Sequence, residues 1–156
     1  MAQKNLMTTG ETERKQYIVV RIGSEQYGID ISYIDNIVRM QKITRVPKAQ
    51  ECFKGIINLR GDVVPVMSIR LRMGLTEDEF TNNTRIIILK IEELGNLGVI
   101  VDEVREVVAL AENEIDLYTP DSKDEKSAFI KGIGKNNNQL ISLLDINSII
   151  EEKELV

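Results

Sequence analysis

The residue that could do chemistry in the apolar stretch at residues 53–69 is Arg60, which stands beside Asn58, Gly61 and Asp62. A guanidinium can bind a carboxylate through two parallel hydrogen bonds. An arginine in such a place can also form an ordinary surface ion pair, or cover apolar surface with its alkyl stem. The stretch by itself leaves both the structural and the functional interpretation open.

Other reactive groups are scarce in this chain. It has no histidine, which removes the commonest general base and the commonest metal ligand. The single cysteine, Cys52, has no histidine to activate it and cannot form an internal disulfide, so we expect a structural thiol. No phosphate-binding glycine loop is present, and the 25 carboxylates are scattered or lie in surface runs. The sequence therefore predicts no catalysis, no metal site and no cofactor.

Charge and hydropathy limit the partners. The net charge is −5 and no basic stripe is present, which argues against nucleic acid. There is no apolar run of membrane-spanning length and no secretory signal pattern at the amino terminus. We expect a cytoplasmic protein without direct membrane insertion.

The composition predicts an all-β fold with an aliphatic core. Hydrophobic residues make up 42% of the chain and aromatic residues only 4%, with β-branched residues dominating the apolar runs. Polar composition predicts a disordered tail at residues 1–15 and a linker at residues 76–84. A short helix is expected at residues 145–152, where Asp145 can cap it.

An internal repeat divides the chain into two similar halves. With an offset of 77, the Lys-Gly-Ile of residues 54–56 falls on residues 131–133, and with an offset of 70, Gly28 falls on Gly98. Each half is the size of a small barrel, which is marginal alone. We therefore predict one folded unit of two antiparallel barrels on a common core, the first at residues 16–75 and the second at residues 85–146.

The repeat bears on Arg60, because the equivalent residue in the second half is Asn137. A polar Asn turn is all that a hairpin requires, so the arginine exceeds what its turn needs. This observation motivates a functional hypothesis for Arg60.

Several motifs resemble the CheW family of chemotaxis scaffold proteins. They are "YGIDISYIDNI", "TRVP", "FKGIINLRGDVVPVMSIRLRMG", "LGVIVDEVREVV" and "FIKGIG…LISLLDI", and the likeness runs over residues 16–152. The resemblance implies two SH3-like five-stranded barrels on a shared hydrophobic core. It also implies a non-catalytic adaptor that couples methyl-accepting chemoreceptors to the histidine kinase CheA and is recruited to membrane-associated receptor arrays.

The resemblance also implies which residues bind. A receptor tip would pack into a groove between the barrels, and the regulatory domain of the kinase would dock against barrel ends. Kinase binding is assigned to Ile43, with Met40 as a neighbouring apolar candidate. Receptor binding is assigned to Ile31, Ile34, Asn36, Gly55 and Arg60, and the repeat extends the groove to Val101 and Val104. The family commonly has a Glu at the position of Asn36 that can pair with the arginine, so the partner of Arg60 is open here.

Two other classes of function remain as alternatives. The chain could be a CheV-like or other chemosensory coupling module with a different receptor set, although its length leaves no room for a receiver domain. An enzyme or a nucleic-acid binder on a small-barrel fold is disfavoured by the missing histidine and the acidic charge.

Overall fold

The computed structural model describes residues 13–47, 49–92, 95–117 and 128–150. Within these ranges the chain is mostly β-strand, with two short α-helices. The strands are β1 Arg14–Ile22, β2 Glu25–Asp30, β3 Ile34–Arg39, β4 Phe53–Leu59, β5 Asp62–Ser68, β6 Arg85–Ile91, β7 Gly95–Val101, β8 Glu103–Ala111, β9 Ile115–Leu117, β10 Ile130–Asn136 and β11 Gln139–Leu144, and the helices are α1 Ile69–Arg72 and α2 Ile146–Ile149.

The strands form two sheets that follow the same plan. One sheet has the order β8-β1-β2-β11-β10-β9, and we call it the terminal barrel because its strands come from both ends of the chain. The other has the order β3-β6-β7-β5-β4, and we call it the middle barrel. The predicted fold class, all-β with two SH3-like barrels and a short C-terminal helix, is confirmed. The prediction of five-stranded antiparallel barrels needs correction, because each sheet contains one parallel pair and the short β9 makes the terminal sheet six-stranded.

Each barrel is closed by a segment of seven residues. In the terminal barrel, residues 111–117 lead through a 3₁₀ turn into β9, which pairs with β10 at Ile115 and Gly134. In the middle barrel, residues 39–45 bring Thr44 into a β-bridge with Ile56 of β4. We call these two stretches the terminal and the middle closing segment.

The two halves of the chain exchange strands. The repeat makes β1 and β2 equivalent to β6 and β7, and it makes β3, β4 and β5 equivalent to β8, β10 and β11. Each barrel takes its first hairpin from one half and its other strands from the other half. The parallel pairs that join them keep the same register, with Leu143 opposite Gly28 and Val66 opposite Gly98.

This exchange corrects the expected division into barrels at residues 16–75 and 85–146. The repeat identifies which strands are equivalent, but it does not say which barrel each strand joins. The observed pairing places residues 14–30 with residues 103–144 and residues 34–68 with residues 85–101. The two barrels are therefore one inseparable unit.

The core has three parts. Each barrel has its own interior cluster, built around Val19, Leu110 and Leu143 in the terminal barrel and around Ile57, Val66 and Ile86 in the middle barrel. The largest cluster lies between the barrels and takes residues from strands of both, including Val20, Met67 and Leu89. We call this cluster the shared core. Burial of aliphatic side chains from both barrels in one cluster holds the barrels together.

The chain ends agree with the predictions in part. The first strand begins at Arg14, so the predicted tail at residues 1–15 overlaps it, while residues 1–12 lie outside the described part of the chain. Asp145 caps α2, as predicted, and residues 151–152 of the predicted helix are also outside it.

Candidate functional site

Ile31 and Ile34 lie where the chain crosses from the terminal barrel to the middle barrel. A 3₁₀ turn over Ile31–Tyr33 makes the crossing, and Asp30 caps it by accepting a hydrogen bond of 2.9 Å from the Ser32 amide. The Ile31 side chain is 38% exposed, and Ile34 packs partly buried against the shared core. This crossing therefore presents apolar surface on a locally fixed backbone.

The second crossing, from the middle barrel back to the terminal barrel, carries the residues equivalent to these. Val104 is partly buried against the shared core, like Ile34. Val101 is fully buried in that core, so its prediction as a groove wall is wrong. Every residue of β7 from Leu97 to Val101 is buried, which a simple alternation of inward and outward residues does not anticipate.

Gly55 is buried beneath the middle closing segment. Its φ is 142°, and a Cβ atom there would overlap the carbonyl oxygen of Thr44. Glycine at this position lets the closing segment lie directly on β4. The structure thus gives Gly55 a role in closing the barrel, and its assignment to receptor binding, which the resemblance implies, stays a prediction.

Arg60 occupies the first position of the two-residue turn between β4 and β5. Arg60 has φ 55° and Gly61 has φ 87°, as a type I′ turn requires. Asn58 supports this turn, since its Oδ1 accepts a hydrogen bond of 3.1 Å from the Gly61 amide. The Arg60 side chain is exposed and makes no hydrogen bond or ion pair with the described residues. An unbranched cationic side chain is thus displayed on a strained backbone.

Asn36 is not the partner of Arg60. Asn36 lies on β3 opposite Ile88, and its side-chain oxygen accepts a hydrogen bond of 2.8 Å from the Ile37 amide. The resemblance places Asn36 and Arg60 in one site, but the structure shows no bond between them.

Met40 and Ile43, the residues assigned to kinase binding, lie together on the middle closing segment. Both are partly buried and pack against the interior cluster of the middle barrel, as does Leu59. Leu59 precedes Arg60, so the Arg60 hairpin packs on the same cluster as the kinase-binding candidates. Ile34 and Val104 pack instead on the shared core. The predicted receptor residues are therefore divided between two regions.

The sequence reasoning missed an ionic cluster around Asp102, which is only 8% exposed at the second crossing. Its carboxylate binds Arg70 through bonds of 2.5 and 3.1 Å and accepts a hydrogen bond of 2.8 Å from the Gly23 amide. Arg21 lies 3.5 Å away. The cluster joins the first hairpin of the terminal barrel to α1, the short helix that follows β5 of the middle barrel.

The charge state of Asp102 follows from these contacts. Desolvation alone would raise its pKa, but the hydrogen bonds from Arg70 and Gly23 and the charges of Arg70 and Arg21 outweigh it and hold the pKa below its usual range. The sequence did contain a signal for this cluster. Asp102 is an acidic residue directly after an apolar strand, and its equivalent in the repeat is the uncharged Ser32.

Groups suited to catalysis are not brought together in the described part of the chain. Cys52 is buried, and desolvation raises the pKa of its thiol. No cluster of three or more potential metal ligands occurs among the described residues. Among those residues there is also no helix with the length and apolar character to cross a membrane.

Comparison with known proteins gives consistent results. The chain is similar to the chemotaxis protein CheW of Bacillus subtilis, with 33% identity and coverage of 94% of each chain, and to that of Thermotoga maritima, with 34% identity and coverage of 84% of each. The crystal structure of the scaffolding protein TtCheW from Thermoanaerobacter tengcongensis superposes with a TM-score of 0.81 at 33% identity, covering 89% of this chain and 94% of that one.

The likeness to CheV proteins is weaker. The chemotaxis protein CheV3 of Helicobacter pylori is 19% identical, and the match covers 42% of that longer protein. A family model for the CheW-like domain matches residues 16–154, almost the whole chain. The chain belongs to the CheW family of chemotaxis scaffold proteins.

Proposed function

We propose that this chain is a non-catalytic adaptor that couples methyl-accepting chemoreceptors to the histidine kinase CheA in bacterial chemotaxis. It would work in the cytoplasm, at membrane-associated receptor arrays, without a cofactor. A CheV-like module that serves a different receptor set is the alternative within the same class of function.

The observation that carries this proposal is the separation of two partly exposed apolar sets on one folded unit. Ile31, Ile34 and Val104 lie at the crossings, where Ile34 and Val104 pack against the shared core and Ile31 is exposed. Met40 and Ile43 lie on the middle closing segment and pack against a different cluster. Two separate surfaces allow one protein to hold two partners at once.

The first set suits a receptor tip, because an amphipathic helix binds through a few apolar side chains laid into a preformed groove. The second suits the regulatory domain of the kinase, in line with the family resemblance. Interfaces of this kind bury about 1,200–2,000 Å² in total, and a few central residues dominate their affinity.

A reconstituted phosphorylation assay tests the proposal. Purified kinase, receptor fragment and this protein are combined singly, in pairs and all together, and autophosphorylation of the kinase is followed. We expect activity to rise only when all three are present. Equal kinase activity with and without this protein would contradict the adaptor function.

The range of receptors that are coupled distinguishes the general adaptor from the CheV-like alternative. A panel of receptor cytoplasmic fragments from the same genome is tested with the same kinase. Coupling of most of the panel supports a general adaptor, and coupling of one receptor type alone supports a dedicated module.

A further inference from the structure

The middle closing segment carries three cations in seven residues, Arg39, Lys42 and Arg45, and no acidic residue. All three are exposed, and none forms an ion pair or a side-chain hydrogen bond with the described residues. Other described arginines, such as Arg14 and Arg21, have carboxylate partners. A protein with a net charge of −5 thus leaves one short segment with a local charge of +3.

The terminal closing segment has the opposite charge. It contains Glu112, Glu114 and Asp116 and no cation, a local charge of −3. Two of these charges are already partnered within the chain, since Glu114 lies 2.6 Å from Arg14 and Asp116 lies 3.5 Å from Lys135. The acidic segment is therefore largely neutralised by its own barrel, and the basic segment is not.

A groove with apolar and charged walls adjoins the basic segment. Its volume is about 330 Å³. Its apolar walls are Ile43, Phe53, Leu71 and Phe80, and the Phe80 side chain is 52% exposed. Arg45, Glu51, Lys54 and Glu77 also line the groove, and Lys54 pairs with Glu77 at 3.1 Å. The surface thus combines apolar side chains with charged residues, beside a segment whose three cations have no partner among the described residues.

We propose that the middle closing segment is an electrostatically steered docking surface for a protein whose complementary face carries carboxylates around an apolar centre. The inference rests on the proposed function, in which this segment contacts the kinase, and it adds the charge of the partner. Unpaired cations at an interface rim chiefly raise the rate of association and its sensitivity to salt. They also offset the long-range repulsion between an acidic partner and this acidic chain.

A second copy of the chain is a poorer occupant. The acidic segment that would have to face the cations is the terminal closing segment, and its carboxylates already have cationic partners at Arg14 and Lys135. Docking of two copies would have to break or share these pairs.

Association kinetics with the purified regulatory domain of the kinase test the inference. The variant combines Arg39→Gln, Lys42→Gln and Arg45→Gln. The control combines Arg105→Gln, Lys131→Gln and Lys135→Gln, three cations of the terminal barrel, so that both variants have the same net charge. At low ionic strength we expect about a tenfold lower association rate for the first variant and little change for the control. In about 1 M salt, where the Debye length is about 3 Å, the difference should vanish.

The outcomes are distinguishable. Binding that Ile43→Glu abolishes, but that both cation variants leave unchanged at low salt, contradicts the inference and keeps the proposed function. Failure of the wild-type chain to bind the kinase domain at any salt contradicts both. Self-association of the wild-type chain in analytical ultracentrifugation, lost in the middle-segment variant only, would show that the occupant is a second copy and would overturn the inference.

Discussion

The hairpins β4–β5 and β10–β11 have turns of the same backbone conformation but with different side chains. Each has a two-residue turn with positive φ, formed by Arg60 and Gly61 in one and by Asn137 and Asn138 in the other. Asn and Gly are the residues that such a turn favours. The repeat therefore acts as an internal control. A feature present in both halves reports what the fold needs, and a feature present in one half is available for function.

The largest change in stability is expected when the glycines at the two closing segments are substituted. Gly55→Ala places a Cβ against the Thr44 carbonyl at a φ that L-residues rarely adopt, so we expect a loss of about 3 kcal/mol or more in the free energy of unfolding. A Cβ at Gly132 would lie 2.9 Å from Ile115 Cγ2 and 3.2 Å from the Asp116 carbonyl oxygen, without the unfavourable φ of Gly55, so Gly132→Ala should cost less, about 1–2 kcal/mol. Urea denaturation of both variants measures the difference, and equal losses would show that the two closures are held alike.

The next largest difference in stability is expected between substitutions at the two crossings. Asp102→Ala leaves Arg70 without its carboxylate in a nearly buried position, and we expect a loss of about 3 kcal/mol. Its repeat equivalent, Ser32, is exposed, and Ser32→Ala should change stability by less than about 0.5 kcal/mol. Thermal and urea unfolding of the two variants compare them.

The pH dependence sharpens this prediction. The folded-state pKa of Asp102 is lowered, so its contribution to stability is present above its unfolded pKa of about 3.9 and is lost as pH falls through the folded value. The stability gap between wild type and Asp102→Asn should be constant near neutral pH and shrink only below about pH 4. A gap that already closes near pH 6 would assign the effect to another group.

The smallest stability effect is expected at the hairpin turns. Arg60→Asn copies the turn of the other hairpin, and relief of left-handed strain should stabilise the fold by about 0.5–1 kcal/mol. Asn137→Arg should destabilise it by a similar amount. If Arg60 is retained for binding, Arg60→Asn will also weaken receptor coupling in the reconstituted assay, and Asn137→Arg will not. Full coupling by Arg60→Asn would return Arg60 to a structural role.

Much of the fold could be predicted from the sequence, because its signals are local. The aliphatic runs predict the strands, Asp145 predicts the start of α2, and the paired Gly28 and Gly98 mark equivalent strands. The exchange of strands between barrels could not be predicted in this way, since it depends on which hairpin meets which β-strand in three dimensions. The composition and the offset of the repeat would be the same whichever barrel each hairpin joined.

The site was harder to predict for a related reason. Val101 and Val104 are β-branched aliphatic residues with the same spacing as Ile31 and Ile34, yet Val101 is completely buried. An apolar residue at a crossing can face the shared core or the surface, and residue type does not distinguish these. The Asp102 cluster depends on Arg21 and Arg70, which are far away in the chain and meet only in the folded protein.

The central claim is that two separate surfaces let one chain hold two partners. Binding of Ile31→Glu and Ile43→Glu to the receptor fragment and to the kinase regulatory domain, measured by calorimetry on variants with wild-type circular dichroism, tests it most directly. We predict that Ile31→Glu loses the receptor and retains the kinase domain, and that Ile43→Glu does the reverse. Loss of both partners in each folded variant, or of neither, would contradict the account.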